Sequence, residues 1–301
     1  MRHPVAGILP VSAVVPVKNE EANLARCLAH LGGFAETVVV DSGSTDRTRE
    51  IAISRGAHFI QFVWDGGFPK KRNWCLRNHR FRAPWVMFVD ADEYVTEDLK
   101  AEIRRVLPST EHAGFWITYE NHFMGRTLKE GSRTRKLSLF RIGSGEYERI
   151  DEQDWSALDM EVHEHPVLQG TTGALRSPVV HQDSKGLKAY IARHNEYSSW
   201  EARRYLALRK GPCARWRDLT RRQRLKYRLL NNWLFAPAYF LTTFIGKLGF
   251  LDGIPGLVFA ALKMYYFFQI KCKIAEASRE GAAAADEAAL EESTSLHDGA
   301  P

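Results

Sequence analysis

The sequence predicts an α/β protein built on a mostly parallel β-sheet. In residues 11–112, short apolar runs alternate with segments whose apolar residues recur at helical spacing. The runs are almost continuously apolar, which is typical of strands that are covered on both faces. Polar clusters directly follow three of the four runs, at the strand ends where sheets of this kind bind their ligands.

The first part of the chain divides into four strand–helix pairs. The predicted strands cover residues 11–17, 37–40, 58–63 and 85–89. The predicted helices cover residues 21–31, 47–54, 70–79 and 97–107. Asp46 and Thr96 precede two of these helices and have the short oxygen-bearing side chains of N-caps. Gly32 and Gly56 end helices, and the crossovers between parallel strands are expected to be right-handed.

Residues 113–185 have a different pattern. Three further strands are predicted there, at residues 114–120, 136–142 and 178–181. The connections between them are polar and rich in glycine. We therefore expect a mixed, partly antiparallel region beside the parallel sheet.

The next segment is predicted to be helical and strongly basic. A long helix is expected over residues 186–208. Residues 203–228 contain eleven Arg or Lys residues and a single acidic residue, Asp218. An apolar, uncharged stretch follows at residues 229–246, and a second one at residues 254–270 is interrupted by Lys263.

The C-terminal tail is rich in Ala, Glu and Ser, and we expect it to be disordered. The predicted divisions of the chain are residues 1–112, 113–185, 186–275 and 276–301. The tail from Glu276 onward has seven acidic residues and one basic residue. Because the whole chain has a net charge of +6, the remainder carries +12, which suggests an anionic partner such as a nucleotide or a phospholipid surface.

Composition and missing motifs exclude several classes of protein. With 45% hydrophobic and 26% charged residues, the chain is neither collagen-like nor wholly disordered. Its four cysteines are dispersed and form no CxxC pair, so neither a zinc ribbon nor a disulfide framework is indicated, and the pattern fits a reducing compartment. There is no GxGxxG, no P-loop and no GxSxG motif. Three prolines interrupt the first apolar stretch, so we interpret it as a strand and not as a signal peptide.

Three polar clusters at strand ends are the candidate site. Asp90 and Asp92 follow the fourth strand, and two carboxylates at this spacing could share a hard divalent cation such as Mg²⁺ or Mn²⁺. Residues 41–46 follow the second strand, where Gly43 allows a ligand to approach the backbone closely. Residues 18–20 follow the first strand. The alternative interpretation is a solvated acidic turn beside two ordinary capping loops.

These motifs occur together in a recognisable order. VVPVKNEE at residues 14–21, VVVDSGSTD at 38–46, KRN at 71–73 and FVDADE at 88–93 resemble the nucleotide-sugar half of a family 2 inverting glycosyltransferase. FMGR at 123–126, KLSLFR at 136–141 and VHE at 162–164 resemble the branch with lipopolysaccharide-core β-1,4-glucosyltransferases. The resemblance covers roughly residues 10–270. It implies the GT-A fold, with a Rossmann-like, mostly parallel sheet, an adjoining mixed acceptor region and a C-terminal helical segment at a membrane surface.

The resemblance implies a nucleotide site for a UDP-sugar donor. The residues expected to line it are Pro16, Lys18, Glu20, Asp41, Arg72 and Asp90. Asp41 would hydrogen-bond the base and Arg72 would flank it. The family often has Tyr where this chain has Lys18.

A divalent cation, Mg²⁺ or Mn²⁺, is also implied. Asp92 would bind it directly and Asp90 would lie near it. His181 follows the strand predicted at residues 178–181, and it is either a further metal ligand or a buried histidine with satisfied hydrogen bonds. A separate zinc site built on His163 and His165 is a rival interpretation, but the chain has no standard zinc-ligand spacing.

An inverting transfer needs one general base to take the proton of the acceptor hydroxyl. The candidates are Asp159, Glu161 and Glu164. The resemblance favours Glu164, because the family places its base in the His-Glu pair that His163 and Glu164 match.

The expected acceptor is a lipid-linked glycan or lipopolysaccharide core, reached at the cytoplasmic membrane. Phosphate groups on it could be held by basic residues, namely Lys129, Arg133, Arg135 and Lys136. We expect residues 200–270 to bind the inner membrane surface, with aromatic rings at headgroup depth and arginines on phosphates. A core helix and true membrane insertion are the alternatives for this segment. No nucleic-acid partner is expected, because the basic run lacks a recognised reader fold.

Two other classes of function remain as rivals. One is a non-catalytic protein that binds a nucleotide-sugar or a glycolipid on the same scaffold. The other is a sugar nucleotidyltransferase, which would require a Gly-rich basic loop after the first strand, where this chain has residues 18–21.

Overall fold

The computed structural model describes residues 7–131, 134–149, 164–210, 216 and 219–297. Its strands are β1 (Leu9–Val17), β2 (Phe34–Asp41), β3 (His58–Gln61), β4 (Trp85–Phe88), β5 (Glu93–Val95), β6 (Gly114–Phe123), β7 (Arg126–Leu128), β8 (Thr134–Arg141), β9 (Gly145–Tyr147), β10 (Pro166–Leu168), β11 (Thr172–Ala174) and β12 (Val179–His181). Its helices are α1 (Leu24–Ala29), α2 (Thr48–Ser54), α3 (Lys71–Asn78), α4 (Glu97–Val106), α5 (Gly186–Lys210), α6 (Arg221–Leu229), α7 (Phe235–Leu241) and α8 (Gly253–His297). Short 3₁₀ segments lie at Leu107–Ser109 and Gly249–Asp252, and a π-helical turn lies at Thr242–Gly246.

The first four strands form the predicted parallel half of the sheet. Their order is β3-β2-β1-β4, and all three pairings are parallel. The register pairs Val17 of β1 with Asp41 of β2, so the polar loops after the two strands leave the same edge. The α/β class and the parallel half are therefore confirmed. Thr96 caps α4 as predicted, accepting a hydrogen bond from the Leu99 amide at 3.2 Å.

The second half of the sheet is mixed, also as predicted. Beyond β4 the order continues β8-β6-β12-β5, and β8 is antiparallel to both β4 and β6. Strand β5 follows β4 directly in the chain but lies at the far end of this row, antiparallel to β12. Residues 89–92 therefore cross the carboxyl edge of the sheet. Five strands were not predicted from the sequence, and each is only three residues long: β5, β7, β9, β10 and β11.

The core lies on both faces of the sheet. On one face, Val39 and Met87 pack with Leu99 of α4. On the other face, Val86 packs with Phe140 of β8. Neighbouring residues of one strand belong to opposite clusters, because side chains alternate across a sheet. Burial of each large side chain contributes about 2 kcal/mol, which explains the continuously apolar runs.

The helices after the sheet form a third cluster. Tyr205 of α5, Tyr227 of α6 and Ile270 of α8 are buried against one another. A salt bridge of 2.6 Å joins Lys226 of α6 to the fully buried Glu201 of α5. This pairing explains part of the basic run, because some of its cations hold helices together within the protein.

The C-terminal tail differs from the expectation of disorder. Helix α8 continues through residue 276 to His297. The physical reason is composition, since Ala and Glu are among the strongest helix formers.

One helical stretch in the described residues is long and apolar enough to cross a membrane. It is Gly249–Glu280, with 32 residues and a hydropathy of 1.2 in its most apolar window, of which 22% is buried. Length and composition alone support this statement, and a core helix of a soluble protein can meet the same criteria.

Glu102 connects α4 to the segment that leads into β12. Its buried carboxylate accepts hydrogen bonds from the Ser177 amide at 2.8 Å and the Arg176 amide at 3.1 Å. Burial alone would raise the pKa of Glu102, but these amides lower it below the usual 4.5. The charged form is therefore favoured by folding, and this contribution is lost as the pH falls through the folded-state pKa.

We predict that Glu102→Gln lowers the free energy of unfolding at pH 7 by about 1–2 kcal/mol, because one acceptor becomes a donor facing an amide. The difference from the unsubstituted protein should shrink below pH 4.5, and urea unfolding at pH 7 and pH 4 measures it. Asp98→Asn, at an exposed carboxylate of the same helix, is the control. A difference that does not depend on pH would contradict the assigned role.

Candidate active site

The acidic turn between β4 and β5 comprises Asp90, Ala91 and Asp92, with Glu93 at the start of β5. Oxygen atoms of Asp90, Asp92 and Glu93 lie within 4.8 Å of one another. Strand register explains what surrounds them. Met87 of β4 pairs with Leu139 of β8, and three residues further along this antiparallel pair come Asp90 and Lys136. His181 of β12 pairs with Glu93.

Two cations hold Asp90. The Arg72 guanidinium donates to Asp90 Oδ1 at 2.7 Å, and the Lys136 ammonium donates to Oδ2 at 2.9 Å. Lys136 also contacts Glu93 Oε1 at 2.5 Å, while Glu93 Oε2 accepts the Asp90 amide at 3.0 Å. Both oxygens of Asp90 and both oxygens of Glu93 are therefore engaged by donors of the protein itself.

These contacts shift the pKa values in opposite directions. Burial would raise the pKa of Asp90, but Lys136 and Arg72 hold it well below its usual range. Burial and the Asp90 charge raise the pKa of Glu93 to about 7. Burial would lower the pKa of Lys136, but Asp90 and Glu93 raise it well above its usual value. Lys136 is thus firmly protonated at neutral pH.

Asp92 has a different environment. Its Oδ2 lies 3.3 Å from Nε2 of His181. Burial would lower the pKa of His181, but the charge of Asp92 raises it above 6.5, and His181 in turn lowers the pKa of Asp92. In the part of the chain that the structure describes, this is the carboxylate of the turn without a lysine or arginine partner.

Three consecutive basic residues at the start of α3, Lys70, Lys71 and Arg72, contact three different groups of the site. The Lys70 ammonium lies 3.3 Å from Glu164 Oε1, and both side chains are buried. Lys71 donates to the Ser42 hydroxyl at 2.7 Å, and Arg72 reaches Asp90. Cations at a helix N-terminus are unfavourable by a few tenths of a kcal/mol each, so their placement reflects these tertiary partners.

The loops after β1 and β2 are joined to each other. The Asn19 amide donates to the Ser44 hydroxyl at 2.7 Å, and the Thr45 amide donates to Asn19 Oδ1 at 2.8 Å. Asn19 adopts φ of 55°, a left-handed conformation that Asn tolerates well. Asn19 therefore links the two loops, beyond the capping role that its position suggests.

Asp41 is buried and its carboxylate faces its own loop. It accepts hydrogen bonds from the Ser44 hydroxyl, the Ser44 amide at 3.0 Å and the Gly43 amide at 3.2 Å. Gln61 Nε2 approaches it at 3.2 Å. In this arrangement Asp41 shapes the loop, and its proposed contact with a nucleotide base remains a prediction.

Glu20 connects the first loop to the start of α5. Lys185 lies 2.7 Å from its carboxylate, and Asn23 donates to it at 3.0 Å. Burial raises the pKa of Glu20, and Lys185 opposes the rise. Asn23 also donates to Asp183 at 3.1 Å, and Asp183 forms a 2.7 Å salt bridge with Arg193 of α5.

The structure brings together several of the predicted site residues and places others at the margin. The acidic turn unites Arg72, Asp90, Asp92 and His181. Pro16 lies at the end of β1 opposite Val40, and Lys18 is exposed beside it. Outside the described residues lie four of the candidates: Arg133, Asp159, Glu161 and His163.

Three residues of the site were not assigned their roles from the sequence. Lys136 was expected on the acceptor side, but the structure directs it to Asp90 and Glu93. Glu93 and Lys70 had no assigned role. One signal was available for Lys70, since three basic residues at a helix start are unfavourable unless other groups bind them.

The side chains of the acidic turn and the neighbouring His181 are suitable ligands for a hard divalent cation. Carboxylate oxygens with an imidazole are ligands that Mn²⁺ accepts, and Mg²⁺ favours the carboxylates. Asp92 and His181 are the side chains best placed to hold it, because Asp90 and Glu93 already accept from protein donors.

The sequence that forms this site matches a family of enzymes that transfer sugars. A family model described as Glycosyl transferase family 2 matches residues 12–163. The match covers half of the chain and contains the loops after β1 and β2 and the acidic turn. The chain belongs to glycosyl transferase family 2.

Two curated relatives extend the similarity beyond the matched domain. The chain is 28% identical over 283 residues to the lipopolysaccharide core biosynthesis glycosyltransferase LpsC of Rhizobium meliloti, covering 88% of this chain and 95% of LpsC. It is 22% identical over 257 residues to an uncharacterized glycosyltransferase of Rickettsia bellii, covering 83% of this chain and 82% of that one. The similarity therefore includes much of the C-terminal helical region.

Solved structures are similar at lower identity. S. aureus TarS 1-349 in complex with UDP-GlcNAc is 16% identical with a TM-score of 0.45, covering 90% of this chain and 92% of that chain. Glucosyl-3-phosphoglycerate synthase from Mycobacterium tuberculosis, in complex with Mn²⁺ and UDP, is 25% identical with a TM-score of 0.30, covering 37% and 44%.

We predict that Lys70→Met destabilises the protein by about 3 kcal/mol, because it removes one partner of a buried ion pair. Adding Glu164→Gln to this variant should restore part of the loss, and urea unfolding at pH 7 measures both. Lys188→Met, at an exposed lysine of α5, is the matched control and should change stability by less than about 0.5 kcal/mol. Equal midpoints for Lys70→Met and the control would show that the pair is not a structural constraint.

Proposed function

We propose that the protein is a metal-assisted inverting glycosyltransferase that moves a hexosyl group from a UDP-sugar to a lipid-linked or lipopolysaccharide-core acceptor. The observation that carries this proposal is the convergence of Asp90, Asp92, Arg72 and His181 at the carboxyl edge of the sheet. Family 2 membership supports sugar transfer. The similarity to LpsC over most of both chains supports a lipopolysaccharide-core acceptor.

On this proposal the donor lies across the loops after β1, β2 and β4. Pro16, Lys18, Glu20 and Asp41 line the nucleoside side, and Arg72 flanks it while holding Asp90. The bound cation supplies positive charge to the diphosphate leaving group. Asp92 and His181 hold that cation, and the lysines of the site keep its surroundings near neutral.

The acceptor hydroxyl is activated by one carboxylate, for which we propose Glu164. The carboxylate takes the hydroxyl proton while the acceptor oxygen forms a bond to the anomeric carbon of the sugar. The bond from this carbon to the diphosphate oxygen breaks, and UDP leaves with that electron pair. Attack opposite the leaving group inverts the anomeric configuration. Lys70 orients Glu164, and Asp159 or Glu161 is the alternative base.

We further propose that the C-terminal helices bind the cytoplasmic face of the inner membrane. Large apolar side chains are exposed there, among them Leu234, Leu251 and Ile254. Exposed cations flank them, including Arg222 and Lys247. A basic and apolar surface of this kind suits an anionic lipid interface, where a lipid-linked acceptor is also found.

We predict that Asp92→Asn and Glu164→Gln each reduce transfer at least about 100-fold, since they remove a metal ligand and a general base. The assay follows radiolabelled sugar from a panel of UDP-sugars into bacterial lipid extracts, with and without Mn²⁺, and the product anomer is assigned by NMR. Asp65→Asn, at an exposed loop carboxylate, should retain full activity. Full activity of Asp92→Asn would contradict the metal role, and UDP binding without turnover on any acceptor would instead indicate a binding protein.

We predict that the protein cosediments with phosphatidylcholine vesicles that contain about one third phosphatidylglycerol, and more weakly with neutral vesicles. Leu251→Ser and Ile254→Ser should each weaken this binding about tenfold, because each removes roughly 1.5 kcal/mol of apolar burial in the lipid. Ile53→Ser, at an exposed apolar residue of α2, is the control. If all three variants bound the vesicles equally well, the proposed membrane-binding surface would be wrong.

A further inference from the structure

We propose that Lys136 is a built-in counter-cation of the acidic turn, which makes the divalent cation bind weakly to the free enzyme and tightly only together with the nucleotide diphosphate. This inference rests on the proposed function, because it concerns the metal and donor of the same site. In this proposal Lys136 positions the carboxylates of the acidic turn, and the divalent cation binds tightly only when the nucleotide diphosphate is also bound.

Lys136 contacts two carboxylates of the acidic turn. Its ammonium bridges Asp90 and Glu93, at 2.9 and 2.5 Å. Glu93 is 1% exposed and has its other oxygen on the Asp90 amide. Glu93 therefore serves as an anchor for Lys136 and for the turn, although by distance alone it belongs to the group of carboxylates that could hold a metal.

The charges of the acidic turn are largely balanced within the protein. Three carboxylates face two permanent cations, Lys136 and Arg72, with the His181 imidazole beside Asp92. The net charge that a divalent cation meets is therefore about −1 or closer to zero, which is weak attraction for a hard ion that prefers several anionic oxygens. The diphosphate of a nucleotide brings the missing negative charge.

Lys136 lies at the open side of the acidic turn. Its side chain is 46% exposed, whereas Glu93 beneath it is buried. The ammonium also lies 4.7 Å from the centre of the Tyr119 ring, which gives the lysine a second support on the β6 side. A flexible cation at the open side of the turn can remain near anions when a diphosphate arrives, so the same residue opposes the lone metal and tolerates the metal–nucleotide pair.

The binding of the metal and the binding of the nucleotide are thermodynamically linked, so each affects the other equally. If UDP increases the affinity for Mn²⁺ by some factor, Mn²⁺ increases the affinity for UDP by the same factor. Removing the charge of Lys136 should strengthen binding of the metal alone and so reduce this factor. A residue that only supported the fold would not strengthen metal binding when removed.

The experiment measures Mn²⁺ binding by calorimetry and by the electron paramagnetic resonance signal of free Mn²⁺, with and without UDP. For Lys136→Met we expect the dissociation constant for Mn²⁺ alone to fall at least tenfold, and the enhancement by UDP to shrink by a similar factor. Lys136→Arg should resemble the unsubstituted protein. Lys188→Met, at an exposed lysine of α5, is the matched control and should change neither quantity.

A second variant keeps the test decisive if Lys136→Met folds poorly. Lys136→Met with Glu93→Gln removes one cation and one carboxylate, so the net charge of the turn returns toward its original value. We expect this double variant to fold, and to bind Mn²⁺ alone with the affinity of the unsubstituted protein. Unchanged or weaker Mn²⁺ binding in a folded Lys136→Met protein would overturn the proposal. Absence of UDP binding in every variant would instead refute the proposed donor, while the measurements with metal alone would still decide the role of Lys136.

Discussion

The structure around the site depends on one electrostatic constraint, which is the neutralisation of three carboxylates gathered within 4.8 Å. Like charges this close to one another and partly removed from water are strongly unfavourable unless cations accompany them. Each partner of the carboxylates comes from a different element: the cations Arg72 from α3 and Lys136 from β8, and the His181 imidazole from β12. The turn therefore connects the parallel half of the sheet to the mixed half, and the two halves cannot separate without exposing unpaired charge.

Much of the parallel half could be predicted from the sequence because its signals are local. A continuously apolar run predicts a buried strand, and an acidic residue directly after it is then placed at the carboxyl edge whatever the rest of the chain does. This reasoning located Asp41, Asp90 and Asp92 correctly on the fold. It could not show that the Asp41 carboxylate faces its own loop, because that depends on the conformation of the loop, which presents Ser44, and on Gln61, which approaches from β3.

The role of Lys136 could not be predicted because it depends on strand order. Lys136 meets Asp90 because β8 inserts beside β4 in antiparallel register. His181, one of whose two interpretations from the sequence was a metal ligand, meets Asp92 because β5 pairs with β12. Strands of three residues carry too little pattern to reveal such pairings. The C-terminal tail illustrates a different limit: composition alone predicted disorder for residues that form the end of α8, where helix propensity favours structure.

The position of α5 relates the site to the proposed membrane surface. This helix begins at Gly186, five residues after His181, and Asp183 holds both Asn23 of the first loop and Arg193 of α5. Further along, α5 packs against α8 through the cluster that contains Tyr205 and Ile270. The loops proposed to bind the donor and the helices proposed to bind lipid are thus joined through one continuous helix and a partly buried polar contact.

A helix with this many fixed partners is stiffer than a loop connection. Because α5 sets the distance between the two surfaces, a lipid-anchored acceptor would meet the acidic turn in a limited range of orientations, and its own membrane anchor would contribute to selecting the hydroxyl that reacts.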